Sequence, residues 1–125
     1  MTTTRTILLV EDSLTELAMV GDCLRGAGYA VLAAADGAQA HAQLDHGPID
    51  LIVMDLILPD MNGYDLFRAF QRDARTGATP VVMLTQRVSM PEEYYGRTLG
   101  AAAYLKKPFR ADLLLHEAHR LAPLD

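Results

Sequence analysis

Several side chains that could do chemistry stand at the ends of apolar stretches in this 125-residue sequence. Two adjacent acids, Glu11 and Asp12, follow the first stretch, and a third acid, Asp55, ends the run Leu-Ile-Val-Met-Asp. Thr85 ends a later apolar run, and Lys107 follows the last one. Carboxylates act as nucleophiles and bind hard cations, whereas hydroxyl and ammonium groups bind phosphoryl oxygens. If the fold brings these five residues together, they suit phosphoryl transfer to a carboxylate.

Strands that alternate with helices must position these residues. The apolar runs predict five strands, at residues 5–10, 30–35, 51–56, 80–85 and 101–106. Helix start signals lie between them, at Ser13, Asp36, Asn62 and Ser89. Ser13 and Glu16 have the spacing of a capping box. The last helix is predicted at 112–121, with four residues facing inward: Leu113, Leu114, Ala118 and Leu121.

This alternation predicts a single α/β domain over residues 1–125, with a doubly wound parallel sheet. The sequence alone does not determine the order of the strands. If it is the flavodoxin-like (βα)5 order 2-1-3-4-5, the switch point lies between strands 1 and 3. Glu11 and Asp12 would then lie beside Asp55, flanked by Thr85 and Lys107. Three carboxylates so close together repel one another, and a divalent cation such as Mg²⁺ would neutralise them.

Composition excludes several other classes of protein. Half of the residues are hydrophobic and 22% are charged, as in an ordinary globular domain. The net charge of −5 argues against a nucleic-acid-binding surface. The single cysteine, Cys23, cannot form an internal disulfide, and no apolar run is long enough to span a membrane. With no secretion signal in the sequence, a cytoplasmic location is the default expectation.

The order and spacing of these residues resemble the CheY-like receiver domain of two-component response regulators. The resemblance covers nearly the whole chain and rests on four segments: Glu11-Asp12, Met54-Asp55 with Leu58-Pro59-x-Met61-x-Gly63, Thr85, and Tyr104-x-x-Lys107-Pro108-Phe109. It implies a stand-alone, phosphorylation-controlled signalling switch that is not an enzyme.

The resemblance assigns the metal and phosphoryl chemistry to four positions. Asp55 would accept a phosphoryl group from a sensor histidine kinase or a phosphotransfer protein. Asp12, Asp55 and the backbone carbonyl of Ile57 would bind Mg²⁺, and Glu11 would act through a water molecule. Because Ile57 and Arg87 match variable positions near the phosphoryl group, we hypothesise an altered lifetime of the aspartyl phosphate.

The resemblance assigns the switch to three further residues. Lys107 would pair with the phosphoryl group, and its bond to Pro108 is expected to be cis. Thr85 would move toward the phosphoryl oxygens and Tyr104 would turn inward behind it. The surface of the fourth helix, fifth strand and fifth helix would then change and bind a downstream protein. The protein is expected to be a monomer or a weak dimer, with no nucleic-acid or membrane partner.

Two other functions remain open from the sequence. A phosphatase or phosphotransferase of the haloacid-dehalogenase type would typically carry a second acid two residues after its nucleophile, where this chain has Ile57. A phosphorylation-independent adaptor with the same fold would not need the acids, Thr85 and Lys107. Each residue taken singly also has a plainer interpretation. Glu11 and Asp12 could be helix N-terminal acids and Asp55 a solvated strand-end residue. Thr85 could be a cap, Lys107 a surface lysine and Tyr104 a core aromatic.

Overall fold

The computed structural model describes residues 4–86 and 90–124. Within them, five strands alternate with five α-helices, and a 3-10 helix at Leu44–His46 follows the second α-helix. The strands are β1 (Thr6–Val10), β2 (Ala30–Ala34), β3 (Leu51–Met54), β4 (Val81–Thr85) and β5 (Ala103–Lys106). The helices are α1 (Leu14–Gly26), α2 (Gly37–Gln43), α3 (Gly63–Arg72), α4 (Met90–Thr98) and α5 (Ala111–Leu121). None of the described helices has the length and apolar character that crossing a membrane requires.

All five strands are parallel and form one sheet in the order 2-1-3-4-5. The central strands β1, β3 and β4 are almost completely buried, as expected for strands that helices cover on both faces. Strand β2 lies at one edge and is only partly buried. The order confirms the predicted flavodoxin-like sheet, whose switch point lies between β1 and β3.

The sheet separates two apolar cores. Side chains alternate along each strand, so Leu8 and Val10 face one core while Ile7 and Leu9 face the other. Helices α2 and α3 cover the first core, and α1 and α5 cover the second. Helix α3 contributes three large side chains to the first core, Leu66, Phe67 and Phe70.

Three helix starts have the predicted side-chain caps. Ser13 accepts a hydrogen bond from the Glu16 N–H at 3.3 Å, Asp36 from the Gln39 N–H at 2.7 Å, and Asn62 from the Tyr64 N–H at 2.8 Å. The predicted cap at Ser89 lies outside the described residues. Helix α5 begins at Ala111, and its N-cap residue, Arg110, makes no side-chain capping hydrogen bond.

The prediction for the inner face of α5 was wrong at one residue. Leu114 and Ala118 are buried and Leu121 packs against the second core, but Leu113 is 44% exposed. A helix turns by about 100° per residue, so the stripe that runs through Leu114, Ala118 and Leu121 leaves Leu113 to one side. Leu113 therefore belongs to the surface rather than to the core.

Gly63, at the start of α3, lies against the loop that follows β3. Its N–H donates to the Leu56 carbonyl at 3.0 Å. A Cβ atom at position 63 would lie 2.4 to 2.7 Å from the Cα, O and C atoms of Leu56. Backbone atoms cannot move aside as the end of a long side chain can. This contact explains why a glycine follows the loop after Asp55.

We therefore expect Gly63→Ala to lower the free energy of unfolding by about 2 kcal/mol or more, because the new methyl group overlaps backbone. The measurement is urea unfolding followed by circular dichroism. Gly26→Ala is the matched control, since a Cβ there meets nothing within 4 Å. That variant should keep or slightly increase the stability of wild type. Equal stability of the two variants would contradict the proposed contact.

Candidate functional site

The carboxyl ends of β1 and β3 bring three acids together. The Asp55 N–H donates to the carbonyl of Val10 at 3.0 Å, which holds Asp55 next to the pair that follows β1. Glu11, Asp12 and Asp55 each have a carboxylate oxygen within 4.8 Å of the others. Glu11 and Asp55 are buried, whereas Asp12 is exposed and open to solvent. The structure thus forms the acid cluster that the sequence predicted.

Lys107 enters this cluster from the end of β5. Its backbone N–H donates to the Thr85 carbonyl at 2.9 Å, which fixes the start of the next loop against the end of β4. Its ammonium Nζ donates to Glu11 Oε2 at 2.5 Å and to Asp55 Oδ2 at 2.6 Å. All three side chains are at most 6% exposed, so the ion pairs are shielded from water. The bond between Lys107 and Pro108 is cis, as expected.

A third acceptor of Lys107 was missed by the sequence analysis. Glu16 Oε2 accepts a hydrogen bond from Nζ at 2.6 Å, and the Glu16 side chain is 34% exposed. Its spacing after Ser13 suggested a capping box, in which the Glu16 side chain would accept from the Ser13 N–H. That N–H instead donates to Glu11 Oε1 at 3.0 Å. Only half of the capping box forms, and Glu16 turns toward the site.

Burial and close ion pairs both shift pKa values in the pocket that the acid cluster forms with Lys107. Burial raises the pKa of the Glu11 carboxyl to about 7, although hydrogen bonds from Lys107 and from the Ser13 N–H act in the opposite direction. Burial disfavours the charged form of Lys107, but its hydrogen bonds to Asp55, Glu11 and Glu16 outweigh burial and raise its pKa above the ordinary lysine value. Lys107 therefore stays charged and compensates part of the negative charge.

The loop after β3 supports one side of Asp55. The Ile57 N–H donates to Asp55 Oδ1 at 3.0 Å, and Ile57 pairs with Asn62 in an isolated bridge. The Ile57 side chain is 46% exposed. Arg87, the other residue of the lifetime hypothesis, lies outside the described residues. Asp55 thus has one oxygen held by a backbone amide and the other by an ammonium group.

Thr85 and Tyr104 lie on the two strands next to the acid cluster. Thr85 is completely buried and pairs in register with Lys106, while Tyr104 is 7% exposed and pairs with Met83. Side chains alternate along a strand, so Thr85 points to the same sheet face as Met83 and Tyr104. On that face, Gly96 of α4 lies against the Tyr104 ring, since a Cβ at Gly96 would be 3.0 Å from it. Tyr104 therefore lies inward, beneath α4.

The donor set of the acid cluster fits a magnesium ion. Mg²⁺ prefers carboxylate oxygens, carbonyls and water, and this cluster offers carboxylates from two neighbouring strands. Lys107 neutralises only one of the negative charges, so the cluster keeps negative charge that a divalent cation could neutralise. Exposed Asp12 would let the ion keep part of its water shell.

Comparisons with family models and with curated proteins agree on one family. A family model described as the response regulator receiver domain matches residues 7–119. Among curated proteins, the chain is similar to Protein PilH of Pseudomonas aeruginosa, with 34% identity over 109 residues that cover 87% of this chain and 90% of that protein. It spans only 26% to 46% of the length of several other curated relatives.

The chain is also similar in fold to solved structures, one of which holds a metal ion. Chemotaxis protein CheY4 of Vibrio cholerae matches with a TM-score of 0.88 and 34% identity, covering 95% of this chain and 99% of that one. The receiver domain of a sensor histidine kinase from Pseudomonas aeruginosa matches with a TM-score of 0.85 and 30% identity, covering 95% and 98%. That domain was solved with a magnesium ion coordinated in its active-site cleft.

The buried ion pairs of Lys107 lead to a stability prediction. Lys107→Met removes the ammonium group and leaves two buried carboxylates without a counter-charge, so we expect a loss of about 3 kcal/mol in the free energy of unfolding. Adding Mg²⁺ should reduce that loss, because a cation bound at the acid cluster would supply positive charge to these carboxylates. Urea unfolding with and without Mg²⁺ measures both effects.

Lys106→Met is the matched control, since Lys106 is the neighbouring residue and is exposed. Its stability should stay within about 0.5 kcal/mol of wild type. If the two methionine variants were equally stable, Lys107 would not compensate buried charge.

Proposed function

We propose a function for this chain from the premise that it belongs to the family of response regulator receiver domains, which are signalling switches of two-component systems and in general not enzymes. In this proposal Asp55 accepts a phosphoryl group from a phosphohistidine on a sensor histidine kinase or a phosphotransfer protein. The modified domain then changes its surface and binds a downstream protein.

The observation that carries the proposal is the pairing of Asp55 with Lys107 inside the acid cluster. Asp55 is 5% exposed, yet it lies at the ligand-binding edge of the sheet beside the open side of Asp12. A compact ammonium group next to a carboxylate suits a product that carries extra negative charge on phosphoryl oxygens. A purely structural ion pair would not need three further acids beside it.

These contacts support a specific reaction in the proposal. An oxygen of Asp55 attacks the phosphorus atom, a new O–P bond forms, and the P–N bond to the donor histidine breaks with its electron pair leaving on nitrogen. Lys107 stays in contact with the transferred group and offsets its charge. Asp12, Asp55 and the Ile57 carbonyl would hold Mg²⁺, with Glu11 acting through water, and the ion would neutralise charge on the phosphoryl oxygens.

The output of the switch would pass through Thr85 and Tyr104. Thr85 lies at the end of the strand beside Asp55, and its hydroxyl can donate to a phosphoryl oxygen. Tyr104 shares its sheet face and lies against Gly96 of α4. Movement of Thr85 toward Asp55 would give Tyr104 new space and shift α4 relative to β5.

The surface of α4, β5 and α5 has features of a protein-binding site. Tyr94 is 75% exposed, Tyr95 is 43% exposed, and Leu113 adds an exposed aliphatic side chain on α5. A cavity of about 410 Å³ between β5 and α5 includes Leu113 and Pro108 in its lining. Exposed aromatic side chains are enriched at protein interfaces. We also propose that the chain is a single domain and that it acts in the cytoplasm as a monomer or weak dimer.

The direct test is the intact mass of the protein after incubation with acetyl phosphate. We expect wild type to gain one phosphoryl group only when Mg²⁺ is present, and Asp55→Ala to gain none, because the variant lacks the nucleophile. Asp65→Asn is the control, since it removes one acid from the exposed pair with Arg68 and leaves the pocket intact. That control should be modified as wild type is.

A wild type that takes up no phosphoryl group, even from a phosphorylated kinase, would refute the proposed function. A phosphorylation-independent adaptor would then become the better interpretation. Modification of Asp55→Ala to the same extent as wild type would place the acceptor on another residue.

A second prediction concerns the coupling residue. Thr85→Ala should still be phosphorylated on Asp55, but the amide NMR shifts that phosphorylation causes in α4 and β5 should shrink, because the hydroxyl that contacts the phosphoryl group is missing. Thr85→Ser keeps the hydroxyl and should retain those shifts. Equal shifts in all three proteins would show that the response reaches α4 by another route.

A further inference from the structure

Glu16 lies on helix α1, outside the set of acids that would hold the metal. Its carboxylate reaches Lys107 Nζ at 2.6 Å, the same distance that separates Nζ from Asp55 Oδ2. An ammonium group has three N–H donors. With Glu11 as the remaining acceptor at 2.5 Å, all three donors of Lys107 are engaged by carboxylates. Any further acceptor must compete with one of them.

Glu16 differs from the two other acceptors in its exposure. The side chains of Glu11 and Asp55 are 4% and 6% exposed, whereas that of Glu16 is 34% exposed. It therefore contacts Lys107 on the side that faces solvent. Because the Ser13 N–H is bonded to Glu11, no backbone donor of the predicted capping box holds Glu16 back on its own helix.

The position of Glu16 has an electrostatic consequence for Asp55. Their carboxylate oxygens are both 2.6 Å from the same nitrogen, so they cannot be farther apart than twice that distance. A phosphoryl group on Asp55 would bring additional negative charge into this space. Glu16 opposes that charge by repulsion and also occupies one of the Lys107 donors that the phosphoryl oxygens would use.

We propose that Glu16 is a positioning residue that restrains phosphorylation: it occupies one N–H donor of the Lys107 ammonium and adds a negative charge that the phosphoryl group must overcome. This inference rests on the proposed function of Asp55. It predicts that removal of the Glu16 charge makes Asp55 easier to phosphorylate, although the same change removes a favourable ion pair from the unmodified protein.

The test uses Glu16→Gln, which keeps the shape of the side chain and an oxygen that can accept from Lys107 but removes the charge. Asp22→Asn is the matched control: it lies on the same helix and loses the same charge, and within residues 4–86 and 90–124 its ion pair is the exposed one with Arg25 at 3.5 Å. The initial rate of phosphorylation by acetyl phosphate in excess Mg²⁺ is measured from intact masses. We expect about a fivefold increase for Glu16→Gln, as fits a partly screened charge a few ångströms away, and no change for Asp22→Asn.

A second readout tests the contact without any phosphorylation. The chain has two lysines, Lys106 and Lys107, so selective ¹⁵N labelling of lysine gives only two ammonium signals. The Lys107 signal of the unmodified, metal-free protein should shift in Glu16→Gln and stay in place in Asp22→Asn. A general change in helix stability would not produce this difference.

The outcomes separate this inference from the proposed function. If wild type is phosphorylated and Glu16→Gln reacts at the same rate or more slowly, or if Asp22→Asn accelerates as much, the restraint by Glu16 is refuted and the proposed function stands. An unshifted Lys107 signal refutes the contact itself. If wild type takes up no phosphoryl group, the proposed function fails, and the restraint by Glu16 fails with it.

Discussion

The ammonium group of Lys107 is the interaction on which the pocket depends. A parallel sheet ends all of its strands at one edge, and in this chain that edge collects Glu11, Asp12 and Asp55, while α1 adds Glu16. Burying two of these carboxylates without a counter-charge would cost several kcal/mol. One buried cation makes the arrangement stable and still leaves an excess of negative charge, which is what a divalent cation would require.

The fold holds these groups on rigid elements. Backbone hydrogen bonds from Asp55 to Val10 and from Lys107 to Thr85 connect the ends of neighbouring strands, so the side chains of the pocket depend on the register of the sheet. The loop after β3 is held in the same way by the close contact of Gly63 with Leu56. Groups fixed by a sheet keep their distances better than groups carried on free loops, as transfer to a specific oxygen needs.

The pattern of elements left the order of the strands open. Given the flavodoxin-like order, the sequence was sufficient to predict the residues that meet at the sheet edge, because period, capping signals and strand-end acids all agree. It was not sufficient for Glu16, since a local pattern of Ser13 and Glu16 gave a complete explanation for that acid within its own helix. The competing partner, Lys107, lies 91 residues away in the chain. Leu113 shows a related limit: its apolar character fits a core position, but its angle on the helix decides that it is exposed.

The arrangement also explains why a change at Asp55 would act on one side of the molecule. Lys107 and Thr85 terminate the two strands, β5 and β4, that lie on the α4 side of Asp55, and Tyr104 of β5 contacts α4 at Gly96. Helix α2, by contrast, packs near β1 and β2, on the opposite side of β3. In the proposed function, charge added at Asp55 would act first on Lys107 and Thr85, which offer a positive charge and a hydroxyl donor, and both are on the α4 side. The direction of the proposed response would therefore be set by the order of strands, which places both of these groups to one side of Asp55.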